Sequence, residues 1–232
     1  MRWSQLLFSQ GFGTRRVCAG LVASQSVRAA GQVVEDDDVE AIEGLAFEVN
    51  GQPWAYHETA LVLLHKPAGY ECSQKPRHHP SVLTLLPPPL RTRGVQSVGR
   101  LDEDTTGLLL LTDDGTLIHR LTSPKHHVPK VYEVTCKHTL QPSQVERLLR
   151  GVVLDDDPVP VRAAAAELIS HTQLRLTLTE GKYHQVKRMV AAVSNRVEAL
   201  HRSAYGALTL DAVPQPGQWR WVSAAERTNA LA

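Results

Sequence analysis

The run Gly99-Arg100-Leu101-Asp102-Glu103-Asp104-Thr105-Thr106-Gly107, followed by Leu108 to Leu111 and Asp113-Asp114-Gly115, sets several carboxylates directly beside an apolar segment. Asp102 follows a Gly-Arg-Leu stretch of strand-like character, a Thr-Thr-Gly turn comes next, and the four leucines read as core. An acid held against a core is placed for chemistry. Counted from Asp102, the pattern also approximates a calcium-binding loop, with Asp104 third, Gly107 sixth and Asp113 twelfth. It departs from one because Thr106 replaces the fifth-position acid or amide, the twelfth residue is not Glu, and Gly94 and Gly99 interrupt any entering helix. A third reading is a solvated acidic turn, and only residues elsewhere decide among the three. Downstream, His119, His126, His127 and His138 lie among Arg120, Lys125, Lys130 and Lys137. The adjacent pair His126-His127 suits neither helical nor strand ligand spacing, and no cysteine pair joins it, so a basic surface is favoured over a metal site.

The elements that must position these groups follow from periodicity. Ala60 to His65 reads as a buried strand stopped by Pro67 and Gly69. Residues 75 to 93 read as a basic, proline-stiffened loop. Thr116 to Leu121 suggests a short helix, and Val131 to Lys137 a strand with Tyr132, Val134 and Cys136 on one face. Pro142 to Arg150 is a helix closed by Gly151, and Ala163 to Ile169 with Gln173 to Thr179 forms a hairpin. In Tyr183 to Val193, the residues Val186, Met189, Val190 and Val193 make an apolar stripe and leave His184, Lys187 and Arg188 off it.

The formal net charge of +1 conceals a segregated distribution. Residues 1 to 34 contain four arginines and no acid, whereas residues 35 to 48 contain seven acids and no base. A basic, acid-free start is also the composition of a transit peptide. Gly13-Thr14 instead offers a helix N-cap, with Val17, Leu21 and Val22 at one-face spacing and Arg15 and Arg16 outside, so a compact basic helix pair is preferred. A link falls around Gly51 to Tyr56. The longest apolar runs are far below the roughly 20 residues a transmembrane helix needs. Cys18, Cys72 and Cys136 form no Cys-x-x-Cys pair, which fits a reducing compartment such as the cytoplasm.

Four separated elements, Lys66-Pro67-x-Gly69, Arg100-Leu101-Asp102, Lys130-x-Tyr132-x-Val134 and Glu180 to Met189, together resemble the motifs of the pseudouridine synthases, in their order along the chain. The start of the chain resembles the S4 RNA-binding module: Arg2-Trp3, then Gly11-Phe12-Gly13-Thr14-Arg15-Arg16, then a short hairpin over Val27 to Val34. It departs from that module at Gln25 and at Ala30-Gly31. Within the family, Tyr183 to Met189, Thr122 to His127 and Leu200-His201-Arg202 look most like the members acting on small-subunit ribosomal RNA.

The resemblance implies an α+β chain. Residues 1–58 would be a divergent S4-like module of a helix pair plus short hairpin, and 59–232 a catalytic domain on a mixed, mainly antiparallel sheet. Its activity would be isomerisation of one uridine in 16S ribosomal RNA, with no cofactor, by a cytoplasmic monomer. The alternatives are a large-subunit RNA target and a non-catalytic rRNA-binding or assembly factor. By the same resemblance Asp102 is the nucleophile, attacking either ribose or uracil. Lys187 is the cation that keeps it ionised, with Arg188 in reserve, because burial alone would push a carboxylate toward its neutral form. Tyr132 stacks on the flipped base, replacing the stacking the base loses. Arg15, Arg16, Arg28, Lys66, Arg100, Lys125, Lys130, His184 and Arg188 are the expected RNA contacts, whereas Asp104, Asp113 and Asp114 are left as turn-formers.

Overall fold

The computed structural model describes residues 1–230. They divide into two compact units, the first comprising Met1–Ala60, Leu86–Gln96 and Thr112–Asp114, and the second the remainder.

In the first unit, helices α1 (Trp3–Ser9) and α2 (Arg15–Ala23) are followed by β1 (Val27–Ala29), β2 (Gln32–Val33), β3 (Ala46–Val49) and β4 (Gln52–Ala55). The strands form an antiparallel sheet in the order β2-β1-β3-β4. Trp3, Leu6, Leu7, Cys18, Val22, Val27, Phe47, Val49 and Tyr56 make its core. Thr14 caps α2, its hydroxyl accepting from the Val17 amide at 3.3 Å. Cys18 rather than Val17 faces inward, and Val17 is 49% exposed. The expected link from Gly51 to Tyr56 is instead β4. Asn50 and Gly51 both take positive φ, 51° and 73°, the backbone a two-residue hairpin turn requires. Pro88–Thr92 forms a short helix, α3, inside what reads as a loop, because proline is tolerated in a first helical turn. Arg93 and Asp113, expected as a loop base and a turn acid, are structural anchors. The Arg93 guanidinium lies 2.7 Å from Asp113 and donates to the carbonyls of His57 and Glu58, while Asp113 accepts from the Ala60 amide at 2.8 Å.

The second unit is built on a nine-stranded sheet of β5 (Leu61–Lys66), β6 (Gln96–Ser97), β7 (Thr106–Thr112), β8 (Lys130–Cys136), β11 (Ala165–Leu168), β12 (Gln173–Leu178), β13 (Val197–Tyr205), β14 (Leu208–Thr209) and β15 (Trp219–Trp221). The order is β11-β12-β8-β13-β7-β5-β15, with β14 on β13 and β6 on β7. β13 and β7 pair in parallel, whereas β11–β12, β12–β8, β8–β13, β13–β14 and β5–β15 are antiparallel, so the sheet is mixed and mainly antiparallel as expected. β9 (Val152–Leu154) and β10 (Asp157–Val161) make a separate ribbon that the sequence reading left unassigned. Helices α4 (Gly115–Thr122), α5 (Pro142–Arg150), α6 (Gln185–Ala192) and α7 (Ala224–Ala230) complete an α+β architecture. One core gathers Val134, Leu148, Leu174, Leu176, Met189 and Val190, and another Leu61, Leu63, Leu108, Leu110, Leu117 and Tyr205. Alternation along β12 delivers its leucines to one covered face, whereas β7 is buried on both faces from Gly107 to Thr112. Among the described residues no helix is long and apolar enough to cross a membrane, and none holds a cluster of three metal-ligating side chains.

Gly107 lies where β7 and β13 meet. A Cβ there would stand 2.2 Å from the Arg202 carbonyl oxygen, and φ is +108°. Only glycine lets the two backbones approach so closely.

Candidate active site

The loop Gly99–Thr105 leaves the short strand β6 and enters β7, and it is not itself a strand. The turn is made by Glu103-Asp104, whereas Thr106 and Gly107 already belong to β7, which corrects the Thr-Thr-Gly turn expected from the sequence. The Thr105 amide donates to the Asp102 carbonyl at 3.1 Å and the Gly69 amide to that of Glu103 at 2.8 Å. Lys66 closes the loop from below. Its ammonium donates to the carbonyls of Asp102, Glu103 and Thr105 at 2.9, 3.2 and 2.8 Å, and to that of Pro67 at 3.1 Å. Lys66 is fully buried. Burial pushes its pKa down, and the loop's Asp104, Glu103 and Asp102 charges oppose that shift. It is therefore a clamp beneath the Asp102 turn, and the expectation that it contacts RNA is corrected: no phosphate reaches a buried side chain whose donors are already engaged.

With the loop fixed, the Asp102 carboxylate points at α6. Its Oδ2 lies 2.9 Å from Lys187 Nζ and its Oδ1 3.2 Å from His184 Nε2. Lys187 also reaches Asp104, at 2.7 and 2.9 Å from the two carboxylate oxygens. Asp104 is thus part of the site and not merely a turn residue. Burial works against the Lys187 charge, but the hydrogen bonds of Asp104 and Asp102 outweigh it and hold the ammonium above its ordinary pKa. Burial likewise opposes ionisation of Asp104, yet Lys187 keeps that carboxyl below its usual range. Arg188, the reserve partner, is turned elsewhere: it pairs with Asp156 and donates to the Tyr183 carbonyl at 3.1 Å.

The entry to α6 is shaped to present Lys187. His184 takes a left-handed backbone, φ 47°, and its ring stacks on Tyr183 with centroids 3.9 Å apart. The buried Gln185 accepts from the Lys182 amide at 2.8 Å and donates to Glu180 at 2.9 Å, tying the turn to the end of β12. His184 was expected as an RNA contact; the structure sets it against the acid.

Asp102, Lys187, His184, Tyr132, Lys130, Arg100 and Arg202 line one cleft of about 390 Å³, a size suited to a small planar group. Tyr132 is half-buried on β8, directly opposite Arg202 of β13. Lys130 is 6% exposed. Burial, with the nearby Arg202 charge, lowers its pKa to about 8. A side chain so enclosed lies within the cleft, where only a group that enters the cleft can reach it. Arg100 is exposed, as is Lys125 after α4. Arg15, Arg16 and Arg28 are exposed in the first unit, Arg15 over the Phe8 ring at 4.6 Å and Arg28 donating to the Gly31 carbonyl at 3.3 Å. The sequence reading missed Arg202, a residue 3% exposed on a strand. An arginine set between the core residues Leu200 and Tyr205 of one strand was the available signal.

Residues 60–192 match the family model described as RNA pseudouridylate synthase. The ribosomal small subunit pseudouridine synthase A of Escherichia coli (strain K12) is 41% identical over 214 residues, covering 91% of this chain and 92% of that protein. The protein of the same name from Vibrio parahaemolyticus serotype O3:K6 is 36% identical over 228 residues, 97% of each. A crystal structure of a pseudouridylate synthase superposes with a TM-score of 0.70 at 32% identity, over 99% of both chains. The cleft with its Asp102–Lys187 pair lies almost wholly inside the matched residues, and this chain belongs to the RNA pseudouridylate synthase family.

Proposed function

We propose that this protein isomerises one uridine of small-subunit ribosomal RNA to pseudouridine, acting in the cytoplasm as a monomer and without a cofactor. The observation that carries the reading is a carboxylate, Asp102, held 2.9 Å from a lysine in a cleft that also contains a half-buried tyrosine. In this reading Asp102 is the nucleophile and Lys187 the cation that keeps it ionised; Asp104 positions Lys187 by sharing it. Tyr132 offers its ring to a uracil that has left its stack. His184 accepts or donates a hydrogen bond at the second carboxylate oxygen. The reaction breaks the C1′–N1 bond, turns the base and forms C1′–C5. The proton lost from C5 is balanced by one gained at N1, so no redox partner or energy source is needed. Residues 1–58 are proposed as an S4-like RNA-binding module and 59–232 as the catalytic domain. The helix pair and the β1–β2 hairpin, with Arg15, Arg16 and Arg28 exposed, support the first assignment.

The test is conversion in vitro of small-subunit and large-subunit RNA, each as free transcript and as particle, followed by carbodiimide mapping. Pseudouridine is expected in the small-subunit RNA with the wild-type protein. With Asp102→Asn the rate is expected to fall by at least about 10⁴-fold, with RNA affinity nearly intact. Conversion only of large-subunit RNA would move the target, and full activity of Asp102→Asn would remove the proposed nucleophile.

A further inference from the structure

Two buried cations in the cleft have no counter-charge. The charge that acts on Lys130 is that of Arg202, and Arg202 Nη2 is buried without a partner although Nε donates to the Leu108 carbonyl at 2.8 Å. Both flank one ring, Lys130 Nζ at 5.2 Å and the Arg202 guanidinium carbon at 5.1 Å from the Tyr205 centroid. Tyr205 is no counter-ion: its hydroxyl donates to the Leu121 carbonyl at 2.7 Å, and burial raises its pKa to about 12. The cleft's carboxylates are committed elsewhere, Asp102 to Lys187 and His184, Glu180 to Gln185. Two like charges enclosed together disfavour each other and their own desolvation. Burial, with the Arg202 charge beside it, accordingly lowers the Lys130 pKa from 10.5 to about 8. Such a pair is stabilised when an anionic oxygen arrives between them.

We propose that Lys130 and Arg202 form an oxyanion subsite for a carbonyl oxygen of the target uracil, a catalytic role beyond the Asp102–Lys187 pair. The inference rests on the proposed uridine isomerisation. Negative charge must collect on those oxygens by either route open to Asp102. If C1′–N1 breaks first, its electron pair stays with the uracil and spreads over O2 and O4. If Asp102 adds to C6, the C5–C6 pair moves toward C4 and makes an enolate at O4. When C5 then bonds to C1′, Asp102 leaves C1′ or C6 with the electron pair of its own bond, C5 loses its proton and N1 gains one, so the ring is neutral and the cations are free again. The geometry favours the base over a backbone phosphate. Lys130 and Arg202 are 6% and 3% exposed, whereas Arg100 stands exposed at the same cleft's rim. On β8, Lys130 is two residues from Tyr132 and so on the same face, and Arg202 is Tyr132's cross-strand neighbour. A uracil stacked on Tyr132 therefore has its carbonyl edge beside both cations.

The experiment compares Lys130→Met and Lys130→Gln with Lys130→Arg and wild type, under single-turnover conditions. The substrates are small-subunit transcripts, free or assembled into particles, made with uridine or with 5-fluorouridine throughout; cleavage of the target's C1′–N1 bond is followed, since fluorine leaves C5 no proton to lose and blocks the last step to pseudouridine, and RNA affinity is measured across a salt series. Fluorine at C5 stabilises the uracil anion, so a lost cation matters less on that substrate. The neutral variants are expected to react about 100-fold more slowly with uridine, with a markedly smaller deficit on 5-fluorouridine. Lys130→Arg is expected to recover most of the rate. Kd and its salt slope are expected to be unchanged, and urea midpoints not lowered, since the lysine's charge disfavours the empty fold. An unchanged rate, an equal deficit on both substrates, or weaker binding with a shallower salt slope would each overturn the inference, the last marking a phosphate contact. If wild type converts neither RNA, the uridine reading itself fails; if wild type is active and the Lys130 variants match it, only the oxyanion subsite does.

Discussion

Lys66, Lys130 and Lys187 have the same side chain and three different electrostatic settings. Lys187 meets two carboxylates and is held charged; Lys130 meets only another cation and is pushed down to about 8; Lys66 meets four carbonyl oxygens. Backbone carbonyls can satisfy an ammonium's donors without neutralising it, which makes Lys66 a fastener for the loop that carries Asp102. Lys66→Met should leave several buried carbonyls without a donor and lower stability by about 3 kcal/mol, read as a fall in the urea midpoint at unchanged m-value. It should also slow the single-turnover reaction while leaving RNA affinity near wild type. A variant as stable as wild type would show that the loop holds without its clamp. The sequence could name all three lysines but not their settings. Lysine is seldom fully buried, so Lys66 and Lys130 read as surface contacts, although Lys66 closes a strand whose six residues are all buried.

Elements with strong periodicity were legible. The stripe in α6, the alternation in β12 and the Gly151 stop of α5 each put the apolar residues where the core is, because burial enforces the pattern. What escaped were elements defined by a turn or a partner: β4 after Asn50-Gly51, α3 starting on prolines, and the loop of Asp102, whose shape comes from Lys66 and not from its own sequence. The segment 75–80 has no regular structure, yet it is fixed by one side chain. Glu71 accepts the amides of His78, His79 and Arg77 at 2.8, 2.9 and 3.1 Å, which pulls its pKa from 4.5 to about 2. A depressed carboxylate stabilises the fold above the unfolded pKa, and that contribution is lost as pH falls from 4.5 toward 2. The thermal midpoints of Glu71→Gln and wild type should therefore differ at neutral pH and converge over that window. A carboxyl NMR titration of Glu71 centred near 4.5 would contradict the anchoring.

At the scale of the whole molecule the net charge of +1 says little, because residues 1 to 34 carry four arginines and no acid while residues 35 to 48 carry seven acids and no base. The four arginines of residues 1–34 face no acid within that stretch, and Arg15, Arg16 and Arg28 are exposed, whereas within the cleft Lys130 and Arg202 are buried and Lys187 is paired with Asp102. The proposals above divide two tasks between them: the exposed arginines would gain by releasing counterions from phosphates, Lys130 and Arg202 by meeting charge that develops during reaction. The proposed S4-like module predicts a separation of binding from chemistry. Replacing Arg15, Arg16 and Arg28 together by Ala should weaken small-subunit RNA binding and reduce the slope of log Kd against log salt by about 2. The single-turnover rate at saturating protein should stay near wild type, since none of the three lies in the cleft. An unchanged slope would place the phosphate contacts outside these three arginines, and a lost rate at saturation would mean that they act on the reacting uridine's position and not only on the RNA's affinity.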